Sequence, residues 1–271
     1  MEGNVLGKNL VNPKIEQLKQ RVRSLGSAVI AFSGGVDSAV LTTIAHEVLG
    51  QKMLAVTAVS PSIPSRDYDS AVDFCKKRKI PHRIVETAEF ENEDFLSNPE
   101  NRCFYCKSGL FEALTKVAAE KGFAYVVEGT NASEIKGHRP GFQAAQKMKN
   151  VATPYVDIGL TKDDVREIAR ALKIEVAERP STACLASRIP TGTRIEPALL
   201  KNIDIAENYL LGLGLRQVRV RHYGELARIE SDDAGMKTCL DRRTEIVGRL
   251  KELGWKKVAL DMEGYRTGGG M

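Results

Sequence analysis

Up to about residue 180, short apolar runs alternate with stripes of apolar residues at helical spacing. Ala28-Val29-Ile30-Ala31-Phe32 stands directly before a serine and a glycine pair and predicts a buried strand. Residues 37–49 predict a helix, stopped at Gly50. Residues 53–58 predict a second strand and 83–86 a third. Between them, residues 65–79 carry Ala71, Val72 and Cys75 at helical spacing. Residues 108–121 place Leu110, Leu114 and Val117 on one helical face, with Gly122 as the stop, and Tyr125-Val126-Val127 predicts a fourth strand. Thr161 reads as the cap of a helix running to about residue 172. Strand and helix in alternation predict an α/β domain, a parallel sheet with helices on both faces.

The pattern changes after residue 175. Residues 176–198 hold Pro180, Pro190 and Pro197 among small polar residues and read as a long functional loop. Beyond it the periodicity predicts a helix over 198–211, a half-buried strand over 217–221 and its partner over 226–230 across Tyr223-Gly224. One long helix over 232–253 and a last strand over 257–261 complete a smaller α+β domain. The expected boundary lies between residues 185 and 186. Gly268-Gly269-Gly270 reads as a frayed tail.

Composition narrows the class. Over 271 residues, 42% hydrophobic and 28% charged is the balance of a globular protein and excludes general disorder. A net charge of +5 suits an anionic partner such as a nucleotide, and no Lys/Arg block marks a nucleic-acid surface, so no nucleic-acid partner is expected. The first ten residues show no secretory pattern, and no stretch approaches the roughly 18 consecutive apolar residues of a membrane helix. The expectation is a cytoplasmic protein without membrane contact. In a reducing compartment five cysteines point to metal binding or catalysis rather than to a disulfide framework.

The sharpest motif is Ser33-Gly34-Gly35-Val36-Asp37-Ser38, after one predicted strand and before a predicted helix. Ligands of open α/β sheets bind at the carboxyl ends of strands. Glycines let the backbone approach an anion, and the helix N-terminus offers free N–H groups and partial positive charge. Ser33 and Ser38 add hydroxyl donors, and Asp37 suits a Mg²⁺ ion bridging to phosphates. The loop lacks the Gly-Lys-Ser/Thr of a Walker A motif. It resembles instead the SGGxDS pyrophosphate loop (PP-loop) of the ATP-pyrophosphatase superfamily, which implies an adenine nucleotide alpha hydrolase-like fold and an ATP cofactor. Those enzymes hold the β,γ-pyrophosphate while a substrate oxygen attacks the α-phosphate. Ser33, Gly34, Gly35, Val36, Asp37 and Ser38 then form the phosphate site, with Asp37 also catalytic through the metal. Ser60 after the second strand, and Gly129 and Thr130 after the fourth, are further candidates for contacts to ATP.

Cys75 and Cys239 sit on apolar faces and read as core. Three loop-associated cysteines remain: Cys103 and Cys106 in a C-x-x-C expected just before a helix, and Cys184 in the Pro-rich loop. Three thiolates suit a [4Fe–4S] cluster with one iron left open. A lone nucleophilic Cys184 and unreactive thiols are the competing readings.

Together with the phosphate loop, the Cys103–Cys106 segment, Glu128-Gly129-Thr130-Asn131, Arg139-Pro140-Gly141, the Cys184 loop and Gly264-Tyr265-Arg266 resemble the LarE family across nearly the whole chain. That resemblance implies an ATP-dependent sulfur transferase of nickel-pincer nucleotide biosynthesis acting on pyridinium-3,5-biscarboxylic acid mononucleotide. It further implies a homo-oligomer and handover of product to a nickel-inserting step. In the sacrificial form of the family one cysteine gives up its sulfur and becomes dehydroalanine, and Cys184 matches that position. Other members hold a cluster on three cysteines, and Cys103, Cys106 and Cys184 resemble that form as metal ligands. The second domain is expected to bind the substrate phosphate through Arg188, Arg194, Arg219 and Arg221, because a guanidinium fork can bond two phosphate oxygens. A cluster-dependent tRNA thiolase is the nearest alternative, but no RRM, KH or zinc-ribbon pattern is present. An amide-forming ligase has no use for three loop cysteines, and a nucleotide sensor would bind ATP without releasing pyrophosphate.

Overall fold

A computed structural model describes residues 3–135, 140–179 and 182–266, with side chains from residue 11 and not at Pro140. The glycine tail, Pro180 and Arg139 lie outside the described residues. The chain divides into two compact units. The first comprises Met1–Ser60, Asp67–Asn92 and Asn101–Thr182, and the second Pro61–Arg66, Glu93–Glu100 and Ala183–Met271.

The first unit is built on five parallel strands: β1 Ala28–Ala31, β2 Met53–Val59, β3 His82–Glu86, β4 Tyr125–Val127 and β5 Val151–Ala152, in the order β3-β2-β1-β4-β5. Side chains along β1 point to opposite faces, as a strand's period of two requires. Ala28 and Ile30 join a core with Leu18, Val22, Leu41 and Ile168, while Val29 joins Val56, Phe111, Leu114 and Val126 on the other face. Both faces are therefore covered, which is why β1 reads as an unbroken apolar run. Strand β1 has β2 on one side and β4 on the other, so the sheet changes direction of winding there. A crevice opens at such a point, at the carboxyl ends of the strands. The helix Gly3–Arg23 is not among the elements predicted above, although Val11, Ile15, Leu18 and Val22 stand at helical spacing; Ile15, Leu18 and Val22 bury in the same core as Ala28 and Ile30.

Two boundaries shift what the sequence implied. The helix expected from residue 108 begins at Arg102, so Cys103 and Cys106 lie inside its first turns rather than before it. The long helix expected over 232–253 is two helices, Asp233–Asp241 and Arg243–Glu252, broken where Arg242 leaves helical geometry at φ −106° and ψ 21°.

The second unit carries a three-stranded sheet, β6 Val218–Tyr223, β7 Leu226–Ser231 and β8 Lys257–Leu260, with β6 and β7 antiparallel and β8 parallel to β7. The helix Pro197–Gly212 buries Leu200, Ile203, Ala206 and Leu210. The alternation in β6 predicted one buried face, but Val218, Arg219, Val220 and Arg221 are all buried. Ion pairs and backbone partners make burial of the arginines tolerable, as described below.

Candidate active site

The turn after β1 runs through Ser33 to Gly35, and the helix Val36–Leu49 follows. Gly34 takes φ +75°, and a Cβ there would stand 3.0 Å from the Asp67 carbonyl oxygen. Only glycine meets both demands. We expect Gly34→Ala to cost about 1–2 kcal/mol of stability from the left-handed backbone alone. Nucleotide affinity should fall with it, so thermal denaturation with and without ATP checks both. An unchanged ATP-induced shift in melting temperature would refute the loop's role.

Gly35 caps the helix with its backbone, and the first intrahelical bond runs from Ala39 N to Gly35 O at 2.9 Å. The N–H groups before Ala39 have no intrahelical acceptor and face the turn, which is the geometry an anion takes up. Ser38 Oγ donates to Gly35 O at 3.0 Å and receives Ser33 N at 3.2 Å and Ser33 Oγ at 3.1 Å, closing the loop on itself.

Asp37, in the first turn of that helix, gathers partners from distant segments. Asn131 Nδ2 donates to Asp37 Oδ1 at 3.2 Å, and Lys162 Nζ pairs with Oδ2. Tyr155 donates its hydroxyl to the Asp37 carbonyl at 2.7 Å, and burial followed by the Asp37 charge pushes that phenol well above its ordinary pKa. Lys162 is the first residue of the helix Lys162–Ala171, held in place by a capping box between Thr161 and Asp164. The Asp37 carboxylate is a suitable hard oxygen ligand for Mg²⁺, and Lys162 shows that a cation is accepted there.

The end of β4 completes the crevice. A Cβ on Gly129 would stand 3.4 Å from Asp37 and Ser38 backbone atoms, so β4 and the phosphate loop are in direct contact. Thr130 follows, half-buried, and Ser60 follows β2 on the other side of β1. Glu128 is buried and accepts from Lys107 Nζ at 2.9 Å through Oε2, leaving Oε1 buried with no hydrogen-bond partner among the described residues. Burial pulls the Lys107 ammonium down, but the Glu128 carboxylate outweighs it and holds it above its ordinary value. Lys107 sits one residue beyond Cys106 and one turn beyond Cys103, so the C-x-x-C is tied to the end of β4. Gly141 lies against the same lysine, where a Cβ would stand 3.2 Å from Lys107 Cγ.

Lys107, Tyr155 and Lys162 carry no sequence signal for the site's chemistry, and Glu128 and Asn131 stand out only as the ends of the segment after the fourth strand. Asn131 lies in the quoted Glu128-to-Asn131 segment, and Thr161 marks the start of the helix that carries Lys162, but neither signal assigns a partner.

A cofactor with its own ligands was expected on Cys103, Cys106 and Cys184. Cys103 is exposed, Cys106 half-buried, and both belong to the first unit, whereas the half-buried Cys184 belongs to the second. Among the described residues no group of three or more His, Cys, Asp or Glu is arranged to hold a metal ion. Thiolate sulfur is the donor chemistry of an iron–sulfur cluster, so the three cysteines fit such a group in kind. Cys75 and Cys239 are buried as expected, and burial pushes the Cys75 thiol up to about 12.

In the second unit Cys184 opens the short 3₁₀ turn Leu185–Arg188. Arg188 is fully buried and pairs with fully buried Glu207, Nε to Oε1 at 2.8 Å and Nη2 to Oε2 at 2.9 Å. Arg221 pairs with Glu230, which also takes Arg228 Nη2 at 2.7 Å. Arg219 donates to Val218 O at 2.8 Å and lies over the Tyr265 ring at 5.2 Å. Arg194 stands apart, on the surface, donating two hydrogen bonds to the Glu93 carboxylate at 2.7 and 3.0 Å. Three of the four arginines expected at a substrate phosphate are therefore buried within this unit, and the fourth is in a solvated ion pair.

Comparison with known proteins agrees with this geometry. A family model described as NAD synthase matches residues 10–196, which span the phosphate loop and all five parallel strands. The chain belongs to the NAD synthase family. Relatives similar over the full length extend the likeness beyond the family's parallel-sheet domain. A Synechocystis protein of uncharacterized function is 38% identical over 96% of this chain and 97% of its own. The pyridinium-3,5-bisthiocarboxylic acid mononucleotide synthase of Lactiplantibacillus plantarum is 27% identical over 91% of this chain and 90% of its own. A glutamine-hydrolyzing GMP synthase component of Archaeoglobus fulgidus is 28% identical over 62% of this chain and 58% of its own. The match to the GMP synthase component is thus partial, while the match to the mononucleotide synthase also covers the second unit's share of sequence. Among the described residues no helix is long and apolar enough to cross a membrane.

Proposed function

We propose that this chain is an ATP-dependent sulfur transferase acting on pyridinium-3,5-biscarboxylic acid mononucleotide. The observation that carries the reading is Asp37, at the head of the phosphate-loop helix, held by Asn131 and Lys162 where β1 and β4 part. The full-length similarity to the Lactiplantibacillus plantarum synthase supports the choice of substrate.

Ser33 to Ser38 hold the β- and γ-phosphates through backbone N–H groups and hydroxyls. Asp37 would hold Mg²⁺, which when bound would offset the charge that develops on the phosphates. A substrate carboxylate oxygen attacks the α-phosphorus, the α–β bridging bond breaks, and pyrophosphate leaves. The product is an acyl-adenylate, and a sulfur nucleophile then attacks its acyl carbon. AMP departs with the former carboxylate oxygen, leaving a thiocarboxylate. Much of the acceleration of this second step comes from holding sulfur and carbon together. Arg188, Arg194, Arg219 and Arg221 are the proposed contacts of the substrate phosphate, and Ser60, Gly129 and Thr130 of the adenosine. The substrate is a small-molecule nucleotide; assembly as a homo-oligomer and handover of product to a nickel-inserting step are part of the same proposal.

The sulfur donor is Cys184, alone or as one of three thiolates with Cys103 and Cys106 on a [4Fe–4S] cluster. The sacrificial route needs only Cys184, so the presence of the C-x-x-C favours the cluster form. With ATP and substrate the expected products are AMP and pyrophosphate, and ADP with phosphate would sink the proposal. Iron-reconstituted protein supplied with sulfide is expected to transfer more than one sulfur per chain under anaerobic conditions. One sulfur at most, with dehydroalanine at position 184 by intact mass, would reject the cluster and keep the sacrificial route.

A further inference from the structure

The second unit concentrates buried charge on one short stretch of backbone. All three nitrogens of the Arg188 guanidinium are used. Nε and Nη2 go to the two oxygens of Glu207, and Nη1 goes to Ala183 O at 2.9 Å, Cys184 O at 3.0 Å and Ser187 Oγ at 2.9 Å. The Cys184 carbonyl also receives Ser187 N at 3.0 Å and Ser187 Oγ at 2.8 Å. Glu207 in turn accepts Val220 N at 3.0 Å from β6 and Arg66 Nη2 at 3.5 Å. Leu185 N donates to Ser62 O at 2.8 Å, and Arg221 Nη1 to Ser187 O at 3.0 Å. The backbone from Ala183 to Ser187 is thus fastened to the helix Pro197–Gly212, to β6 and to residues 62–66, while Cys184 itself stays half-exposed.

A buried Arg–Glu pair is a poor device for stability, because desolvating two ions cancels most of what their attraction contributes. An apolar pair of equal volume would pack the same core. What an apolar pair cannot do is hold three hydrogen-bond acceptors in a fixed array, which a planar guanidinium does. With Nε and Nη2 held by Glu207, Nη1 is left aimed at the carbonyls of Ala183 and of Cys184, the residue that carries the thiol.

We infer that Arg188, braced by Glu207, is a positioning residue that fixes the Cys184 backbone so that its sulfur projects in one direction for transfer. This inference rests on the proposed role of Cys184 as sulfur donor, and it removes Arg188 from the set of substrate-phosphate contacts. Lysine at position 188 keeps the charge but loses the planar fork. Arg188→Lys is therefore expected to leave AMP formation within about threefold, since that step belongs to the phosphate loop of the first unit. Sulfur transfer should fall by more than about tenfold, with the substrate KM within about twofold.

A second measurement needs neither ATP nor substrate. The full-length protein is alkylated with iodoacetamide across about pH 6–9, and modification of the Cys184 peptide is followed by mass spectrometry. The rate profile for Cys184 is expected to differ at least about threefold between wild type and Arg188→Lys, and Glu207→Gln is expected to alter it in the same sense. Leu210→Ala, a cavity in the same core away from the turn, controls for general destabilisation and should leave Cys184 alkylation unchanged. A raised substrate KM with unchanged kcat would make Arg188 a substrate contact and overturn the inference. Equal alkylation profiles in all variants would also overturn it. If no sulfur is transferred by any form of the protein but the alkylation profiles differ as stated, the anchoring stands and the proposed reaction falls. Should Arg188→Lys fail to fold, the Glu207→Gln comparison decides alone.

Discussion

Asp37→Asn is expected to fold normally and to release pyrophosphate at least about a hundredfold more slowly than wild type. Asparagine keeps the shape and the acceptor oxygen that Asn131 Nδ2 reaches at 3.2 Å. It removes the negative charge that neutralises Lys162 and that a Mg²⁺ ion would need. Charge stabilisation by a bound metal is worth several kcal/mol in a phosphoryl transition state, and about 1.4 kcal/mol corresponds to each factor of ten. The loss therefore falls on the rate. Both partners of the ion pair are a fifth to a quarter exposed, at 25% for Lys162 and 21% for Asp37, so breaking it should move stability by less than about 1 kcal/mol. Pyrophosphate release under saturating Mg²⁺, measured beside a melting curve, separates the two effects. Release within a few-fold of wild type would mean that Asp37 does not carry the metal.

Cys184→Ala is expected to abolish thiocarboxylate formation while AMP continues to form. The thiol is the only group removed, and the backbone bonds from Arg188 and Ser187 to the residue 184 carbonyl do not depend on it. The acyl-adenylate then meets water instead of sulfur, so AMP appears with the carboxylate regenerated. Cys75→Ala makes a useful contrast: that thiol is buried in the first unit's core, and its removal should cost stability by opening a cavity, leaving transfer per folded molecule unchanged. Product analysis of both variants is sufficient. Thiocarboxylate from Cys184→Ala at the wild-type rate would eliminate Cys184 as donor in either form of the reaction.

Local chemistry accounts for what could be read from the residues in order. The strand at 28, the glycine turn and the helix after it are adjacent in sequence, and their signals are short-range: an apolar run, a residue that accepts positive φ, a helical stripe. The same holds for the capped helix after Thr161 and for the hairpin across Tyr223-Gly224. The start of the helix at Arg102 was missed because Cys103 to Lys107 show no apolar stripe; that turn is held instead by Lys107 reaching Glu128 at 2.9 Å. The break at Arg242 carries no Gly or Pro, and apolar residues recur at helical spacing on both sides of it, at Met236, Cys239 and Leu240 and at Ile246, Val247 and Leu250, so the periodicity gives no sign of it.

The alternating strands and helices of the parallel domain, and the phosphate loop with Asp37 at its helix, are legible in the chain because each signal lies within one strand or one turn. Which groups surround Asp37 follows from the packing of distant segments. Asn131, Tyr155 and Lys162 lie 94, 118 and 125 residues away, and strand order and helix packing bring them in. Tertiary packing also decides that Arg188 and Arg221 are buried beside acids rather than left in solvent: a strand's alternation says which residues share a face, but whether that face meets water depends on what else the chain packs against it.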